Sequence, residues 1–163
     1  SASSAIMASK TSSRYSGISF TMTNTSATDT LTLGTNCLVN NCRFGITSIG
    51  AGRSVIAFGG SDSSACGVVI KFATGATSFA NAFNVGGQGS DINDCLVIGP
   101  ATSGGAGNRN GIEVNGSGPR SSVSNCVVTR VAGAGVAGTN AAVGTAVLNC
   151  TVANIGGGAG AGG

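Results

Sequence analysis

Val123-Ser124-Asn125-Cys126-Val127-Val128 recurs along the chain, and its recurrence organises everything else. Val147-Leu148-Asn149-Cys150-Thr151-Val152 and Val39-Asn40-Asn41-Cys42-Arg43-Phe44 repeat it, while Ile92-Asn93-Asp94-Cys95-Leu96-Val97 puts Asp in the Asn place. Ser63-Ser64-Ala65-Cys66-Gly67-Val68 and Tyr15-Ser16-Gly17-Ile18-Ser19-Phe20 are weaker copies. Taking 18, 42, 66, 95, 126 and 150 as anchors, the intervals are 24, 24, 29, 31 and 24 residues. A nearly constant period in the twenties, lengthened by insertions, marks a solenoid in which each repeat buries its apolar face only against its neighbours.

The columns of this alignment say which way side chains point. Strand residues alternate between faces, so the anchor and the residue two beyond it share one face. At that second position stand Phe20, Phe44, Val68, Val97, Val128 and Val152, all apolar. Three residues before the anchor stand Tyr15, Val39, Ser63, Ile92, Val123 and Val147, with Ser63 the exception. Immediately before it come Gly17, Asn41, Ala65, Asp94, Asn125 and Asn149. Asn and Asp tolerate a left-handed backbone and hydrogen-bond their own turn, and stacked amides bond one another as ladders. Asn41, Asp94, Asn125 and Asn149 therefore read as a turn ladder between two strands. Upstream, Leu31/Leu33, Phe83/Val85 and Ile112/Val114 alternate as strand residues should. Ile112 and Val136 each lie 14 residues before an anchor, so two separate columns keep one register.

With these residues in view, the Asn-Cys-x-Val units and the upstream Gly-Ile-Glu-Val and Gly-Val strands resemble the right-handed parallel β-helix proteins of the pectate-lyase-like superfold. The resemblance spans roughly residues 15–155. It implies an all-β solenoid of about six rungs, with 1–14 as lead-in or cap and 156–163 as a Gly/Ala-rich tail or the start of a next segment. An unusual start and a Gly/Ala-rich finish make a segment of a longer protein the expectation. That superfold hosts lyases, glycoside hydrolases, phage tailspikes and adhesins, so it carries no single activity.

Composition narrows the classes. The chain has 163 residues, 29 of them Gly, with 8% charged residues, no His and no Trp. Ordinary domains carry about 25% charge, so Ser, Thr, Asn, Gly and Ala must cover most of this surface. The net charge of +3 comes from scattered cations without aromatic partners, which gives nucleic-acid binding no support. No apolar run reaches the roughly 18 residues of a membrane span.

Five of the six cysteines, Cys42, Cys66, Cys95, Cys126 and Cys150, fall on the anchor and read as an inward column of reduced thiols packing as small hydrophobes. Cys37 lies five before its anchor, where other rungs hold Ser13, Ser61, Ser90, Ser121 and Thr145. In-register neighbours point in parallel, which argues against disulfides, and the spacing matches no zinc motif. No metal or cofactor is expected. Free thiols fit folding in a reducing cytoplasm.

Catalytic candidates are few. Without His, Ser-His-Asp and Cys-His sites cannot form within the chain. Glycoside hydrolysis needs two carboxylates across a groove, and of five acids only Asp91, Asp94 and Glu113 are near one another in rung order. Asp94 belongs to the turn column and Asp91 to a Gly-Ser turn, so structural roles explain them better. The Gly-His-Gly unit of polygalacturonase-like members and the acidic calcium cluster of pectate lyases are both absent. The long loops, Gly75–Gly89 and Gly104–Gly111, are expected to build one wall with Arg109, Glu113 and Arg120 on it as binding candidates. Thr21-Met22-Thr23 raises an ice-binding array, but the Thr pair does not recur in later rungs.

The expected function is a structural or receptor-contacting β-helical component of a virion appendage, resembling a phage tail fibre or tailspike. It would act as a homotrimer or with other virion proteins and meet cell-surface polysaccharide. A polysaccharide-degrading enzyme and a bacterial surface adhesin passenger are the alternatives.

Overall fold

A computed structural model of the chain describes residues 7–8, 11–23, 29–49, 52–74, 80–100, 110–116, 119–139 and 143–155. They form eighteen short strands and no helix. The first coil is β1 (Met7–Ala8), β2 (Arg14–Ser16) and β3 (Ser19–Thr23), and the second is β4 (Leu31–Leu33), β5 (Leu38–Asn40) and β6 (Arg43–Ser48). The third is β7 (Ile56–Phe58), β8 (Ser64–Cys66) and β9 (Val69–Phe72), and the fourth β10 (Asn81–Val85), β11 (Asp91–Asn93) and β12 (Leu96–Ile98). The fifth is β13 (Asn110–Val114), β14 (Ser122–Ser124) and β15 (Val127–Thr129), and the last β16 (Val136–Gly138), β17 (Ala146–Leu148) and β18 (Thr151–Ala153). Every third strand joins the same sheet: sheet I runs β1-β4-β7-β10-β13-β16, sheet II β2 to β17, and sheet III β3 to β18. All pairings are parallel.

The fold is thus an all-β parallel solenoid, as the repeat requires. Its body is about four turns rather than six full rungs. The reason is end effects: coils two to five are paired on both sides, whereas the first and last are paired on one side only. Fully buried Val123 becomes 50% exposed Val147 one coil later, and Val128 becomes Val152 at 46%. The inward columns are otherwise dry. Leu31, Ile56, Phe83 and Ile112 stack in sheet I, with Val39, Ala65, Ile92 and Val123 in sheet II and Phe44, Ile70, Val97 and Val128 in sheet III. Phe20 and Phe44 stack with ring centroids 4.8 Å apart and 20° between planes, which is the spacing of the strands that carry them.

The third coil corrects the sequence alignment. Cys66 pairs with Asn40 and Asn93, not with an anchor, and is half-buried on the outer face. Val68, fully buried, occupies the anchor column between Cys42 and Cys95. The shift by two residues moves Ala65 into the column three before the anchor, so the Ser63 exception disappears. It puts Ile70 in place of Val68 at the second inward position and Gly67 in place of Ala65 in the turn column. Ser63, rather than Ser61, joins the column of Cys37. That column is a seam of buried hydroxyls: the Cys37 N–H donates to Ser63 Oγ at 2.9 Å, Ser63 Oγ donates to the Gly34 carbonyl at 2.6 Å, and the Ser90 N–H donates to Ser121 Oγ at 3.2 Å.

Two corner columns adopt left-handed backbone angles. The turn column does so in every coil, at Gly17, Asn41, Gly67, Asp94, Asn125 and Asn149, with φ between 51° and 68°. Five residues earlier, Ser12, Asn36, Asp62, Gly89, Arg120 and Gly144 form a second such column, with φ between 56° and 73°. The strands of sheet II lie between these two bends. Coil-to-coil length differs by corner: two residues always separate a sheet II strand from the following sheet III strand, whereas six to eleven separate sheet III from the next sheet I strand. The stretch Gly75–Gly89 is therefore not one loop, since β10 (Asn81–Val85) runs through it. Gly104–Gly107 lies outside the described residues, as do Arg109 and 156–163.

Candidate functional site

The turn ladder is the most regular polar feature. Asn149 Nδ2 donates to Asn125 Oδ1 at 3.5 Å, and Asn125 Nδ2 donates to Asn93 Oδ1 at 3.1 Å. Asp94 cannot donate an amide hydrogen, so the ladder steps sideways: Asn93 Nδ2 donates to Asp94 Oδ2 at 2.7 Å, and Ser124 Oγ donates to Asn93 Oδ1 at 2.9 Å. At Gly67 a Cβ would sit 2.5 Å from Asn41 Oδ1. Only glycine supplies both the backbone angle and the room there.

The three carboxylates do not share one face. Asp91, exposed at the start of β11, accepts from Ser122 Oγ at 2.6 Å. Asp94 is exposed at the corner after β11. Glu113 is on β13 in sheet I, where Asn110 Nδ2 donates to its Oε2 at 3.1 Å and Thr139 Oγ1 donates to its Oε1 at 3.0 Å. Asn110 Oδ1 in turn accepts from the Ala134 N–H at 2.9 Å, and Asn115 Nδ2 donates to Asn84 Oδ1 at 3.1 Å. Both oxygens of Glu113 are thus used to tie the fifth coil to its own strand and to the sixth coil. Arg120 is exposed in the second left-handed column, its Cγ close to Gly144 of the next coil. Of the proposed loop wall, the structure places Glu113 within a strand of sheet I and Arg120 at the corner between sheets I and II.

The anchor column holds a second kind of chemistry. Cys95, Cys126 and Cys150 occupy three successive coils in one register, each thiol also donating to the carbonyl two residues back at 3.2, 3.1 and 3.4 Å. Interaction between the neighbouring Cys95 and Cys126 side chains splits their titration: it pulls Cys126 down to about 7, while the same interaction followed by burial pushes Cys95 well above the ordinary thiol range. All six cysteines are free thiols.

Sheet III carries a groove that residue patterns alone did not reveal. Thr21, Gly45 and Lys71 align on its outer face, and Gly45 leaves a gap between two side chains. The resulting depression, about 170 Å³, is lined by Thr21, Gly45, Thr47, Lys71, Phe72 and Ala73. A bulge after Met22 turns Thr47 so that its Oγ1 lies 2.6 Å from Thr23 Oγ1 and donates to the Met22 carbonyl at 2.8 Å. The sheet III strands hold two cations, Arg43 and Lys71, both exposed, and no acid. Once the third coil is aligned correctly, the first and third positions after the anchor column face outward, and that would have found both.

Among the described residues no group of His, Cys, Asp and Glu is arranged to hold a metal ion, and no helix is long and apolar enough to cross a membrane. No family model, curated protein or solved structure matches the chain.

Proposed function

We propose that the chain is a right-handed β-helical segment of a virion appendage, built on the pectate-lyase-like superfold in the manner of a phage tailspike or tail fibre. The reading assigns it to display: a rigid rod presents one polar, charge-poor surface to the host cell and associates as a homotrimer or with neighbouring virion proteins. The observation that carries the reading is the division of labour among corners. The two-residue corner between sheets II and III never varies, while the corner leading into sheet I runs from six to eleven residues and the one from sheet I into sheet II from four to seven. Invariant corners keep the coils stacked, and variable ones are where display loops can differ without disturbing them.

The groove on sheet III supplies the contact. Lys71 in its lining, with Arg43 two residues before Gly45 and no acid on the sheet III strands, favours an anionic ligand, and Gly45 allows a flat ring to approach the backbone. An acidic host-surface polysaccharide meets both conditions. The test is binding of the 163-residue chain to immobilised acidic and neutral capsular polysaccharides, with reducing ends measured in parallel. Salt-sensitive binding to the acidic polymer, weakened by up to about fivefold in Lys71→Ala and without new reducing ends, is the expected result; each exposed ion pair is worth roughly 1 kcal/mol or less, so Arg43→Ala should add to it. Release of reducing ends would instead establish the polysaccharide-degrading enzyme, and equal binding to neutral polymer would remove the groove from the reading.

A further inference from the structure

Coil five carries both Asn-Gly pairs of the chain, Asn110-Gly111 at the start of β13 and Asn115-Gly116 just past its end. An asparagine followed by glycine is the least hindered place for a backbone nitrogen to reach a side-chain amide, because glycine has no Cβ in the way. The approach also requires that the glycine N–H be disengaged and that the asparagine side chain be able to turn.

At Asn110 neither condition is met. The Gly111 N–H donates to the Ala134 carbonyl at 3.0 Å as part of the ladder between coils. Asn110 is buried, its Oδ1 accepts from the Ala134 N–H at 2.9 Å, and its Nδ2 donates to Glu113 Oε2 at 3.1 Å. Bringing Gly111 N onto Cγ would break all three bonds, and bonds of this kind in a paired strand open only with the strand itself.

At Asn115 the chain has left the strand. Its N–H still donates to the Val85 carbonyl at 3.0 Å, and its Nδ2 donates to Asn84 Oδ1 at 3.1 Å. The Gly116 N–H, by contrast, donates to no partner among the described residues, and both residues are half-buried. They open a connection of seven residues between β13 and β14, where β4 and β5 are joined by four. One side-chain bond, rather than a strand pairing, holds Asn115 in place.

We infer that Asn115 is a self-modification site, at which attack by the Gly116 nitrogen expels the side-chain amide and leaves aspartate or isoaspartate in coil five, while sheet I protects Asn110. Gly116 N attacks Asn115 Cγ and gives up its proton, the Cγ–Nδ2 bond breaks, and the nitrogen departs as ammonia. The product is a cyclic imide. Water opens it at Cγ to give aspartate, or at the backbone carbonyl to give isoaspartate, whose main chain runs through Cγ and is one carbon longer. Ammonia out and water in balance the reaction, with no oxidant or metal. The long connection absorbs the added carbon. A carboxylate has no N–H to give, so Asn84 Oδ1 loses its donor and the side-chain link between coils four and five is severed. The inference is independent of the display reading and holds whatever the rod contacts.

Trypsin cleavage after Arg109 and Arg120 releases both pairs in one peptide, 110–120, so Asn110 serves as the internal control. The folded chain, and the same chain unfolded in guanidinium, are held in mildly alkaline buffer, sampled over weeks, then denatured and digested. Fragmentation of the peptide assigns each conversion of amide to acid, and isoaspartate methyltransferase labelling detects the longer main chain. Both positions should convert in the unfolded chain. In the folded chain Asn115 should convert and Asn110 should lag by about tenfold or more. Equal rates at the two positions in the folded chain would overturn the inference. So would an unchanged Asn115 in the folded chain over a period in which the unfolded chain converts it.

Discussion

Replacing Val68 and Cys66 separately by Ala tests the register of the third coil, on which the whole stack depends. Val68 is fully buried between Cys42 and Cys95, so Val68→Ala deletes two methyl groups from a closed column. At about 0.8 kcal/mol per buried carbon, plus a cavity contribution, the loss should be about 2–3 kcal/mol. Cys66 sits half-buried on the outer face, where Asn93 Nδ2 approaches its Sγ at 4.0 Å. Cys66→Ala should therefore stay within about 0.5 kcal/mol. For a chain of this size the difference corresponds to roughly 4–10 °C in the thermal midpoint. Urea and heat denaturation followed by circular dichroism read it directly, and Cys126→Ala provides the scale for a true anchor. A solenoid distributes stability coil by coil, so limited proteolysis should place the weakness of Val68→Ala at the third coil. If Cys66→Ala matched Cys126→Ala while Val68→Ala were silent, the register described above would be wrong.

Asn125→Gly should be nearly neutral, because glycine accepts a φ of 53°, whereas Asn125→Val should cost on the order of 1–2 kcal/mol or more in the same melts. Gly67→Ala should be costlier than an ordinary surface change, since its Cβ would collide with Asn41 Oδ1, and pairing it with Asn41→Gly should recover part of the loss. The Cys126 thiol is lowered to about 7 from 9.0, so the folded state releases its proton earlier than the unfolded chain does. Stability should then rise with pH from about 7 to 9 and fall as the solution is acidified through 7, and urea midpoints in Cys95→Ala should lose that slope. Glu113→Gln and Asp94→Asn should leave any polysaccharide cleavage unchanged, because Glu113 is committed to Asn110 and Thr139 and Asp94 to Asn93. A reducing-end assay on both variants checks this.

The stack was legible in the sequence wherever an Asn or Asp preceded the anchor. Asn41-Cys42, Asp94-Cys95, Asn125-Cys126 and Asn149-Cys150 all lie where their spacing puts them, because one residue dictates the bend and the next fills the interior. The third coil misled because cysteine is chemically ambiguous: Cys66 is apolar enough for an inward place, yet it occupies an outward one. The constraint there belongs to Gly67, whose left-handed φ matches the Asn column. Aligning backbone requirements rather than thiols would have found it. The second left-handed column stayed invisible, since Ser12, Asn36, Asp62, Gly89, Arg120 and Gly144 share a conformation but no side-chain chemistry. The sheet III groove depended on a missing side chain at Gly45, which a search for charged or catalytic residues passes over.

The two-residue corner between sheets II and III makes rod length a quantised property. Excising Leu96 through Cys126 would join Cys95 to Val127, and the junction would meet the same bend and the same interior neighbour that it leaves. Duplicating that span would lengthen the rod by one layer in the same way. Reach can thus be tuned by splicing whole layers, much as a ruler is extended by graduations, without redesigning any cross-section.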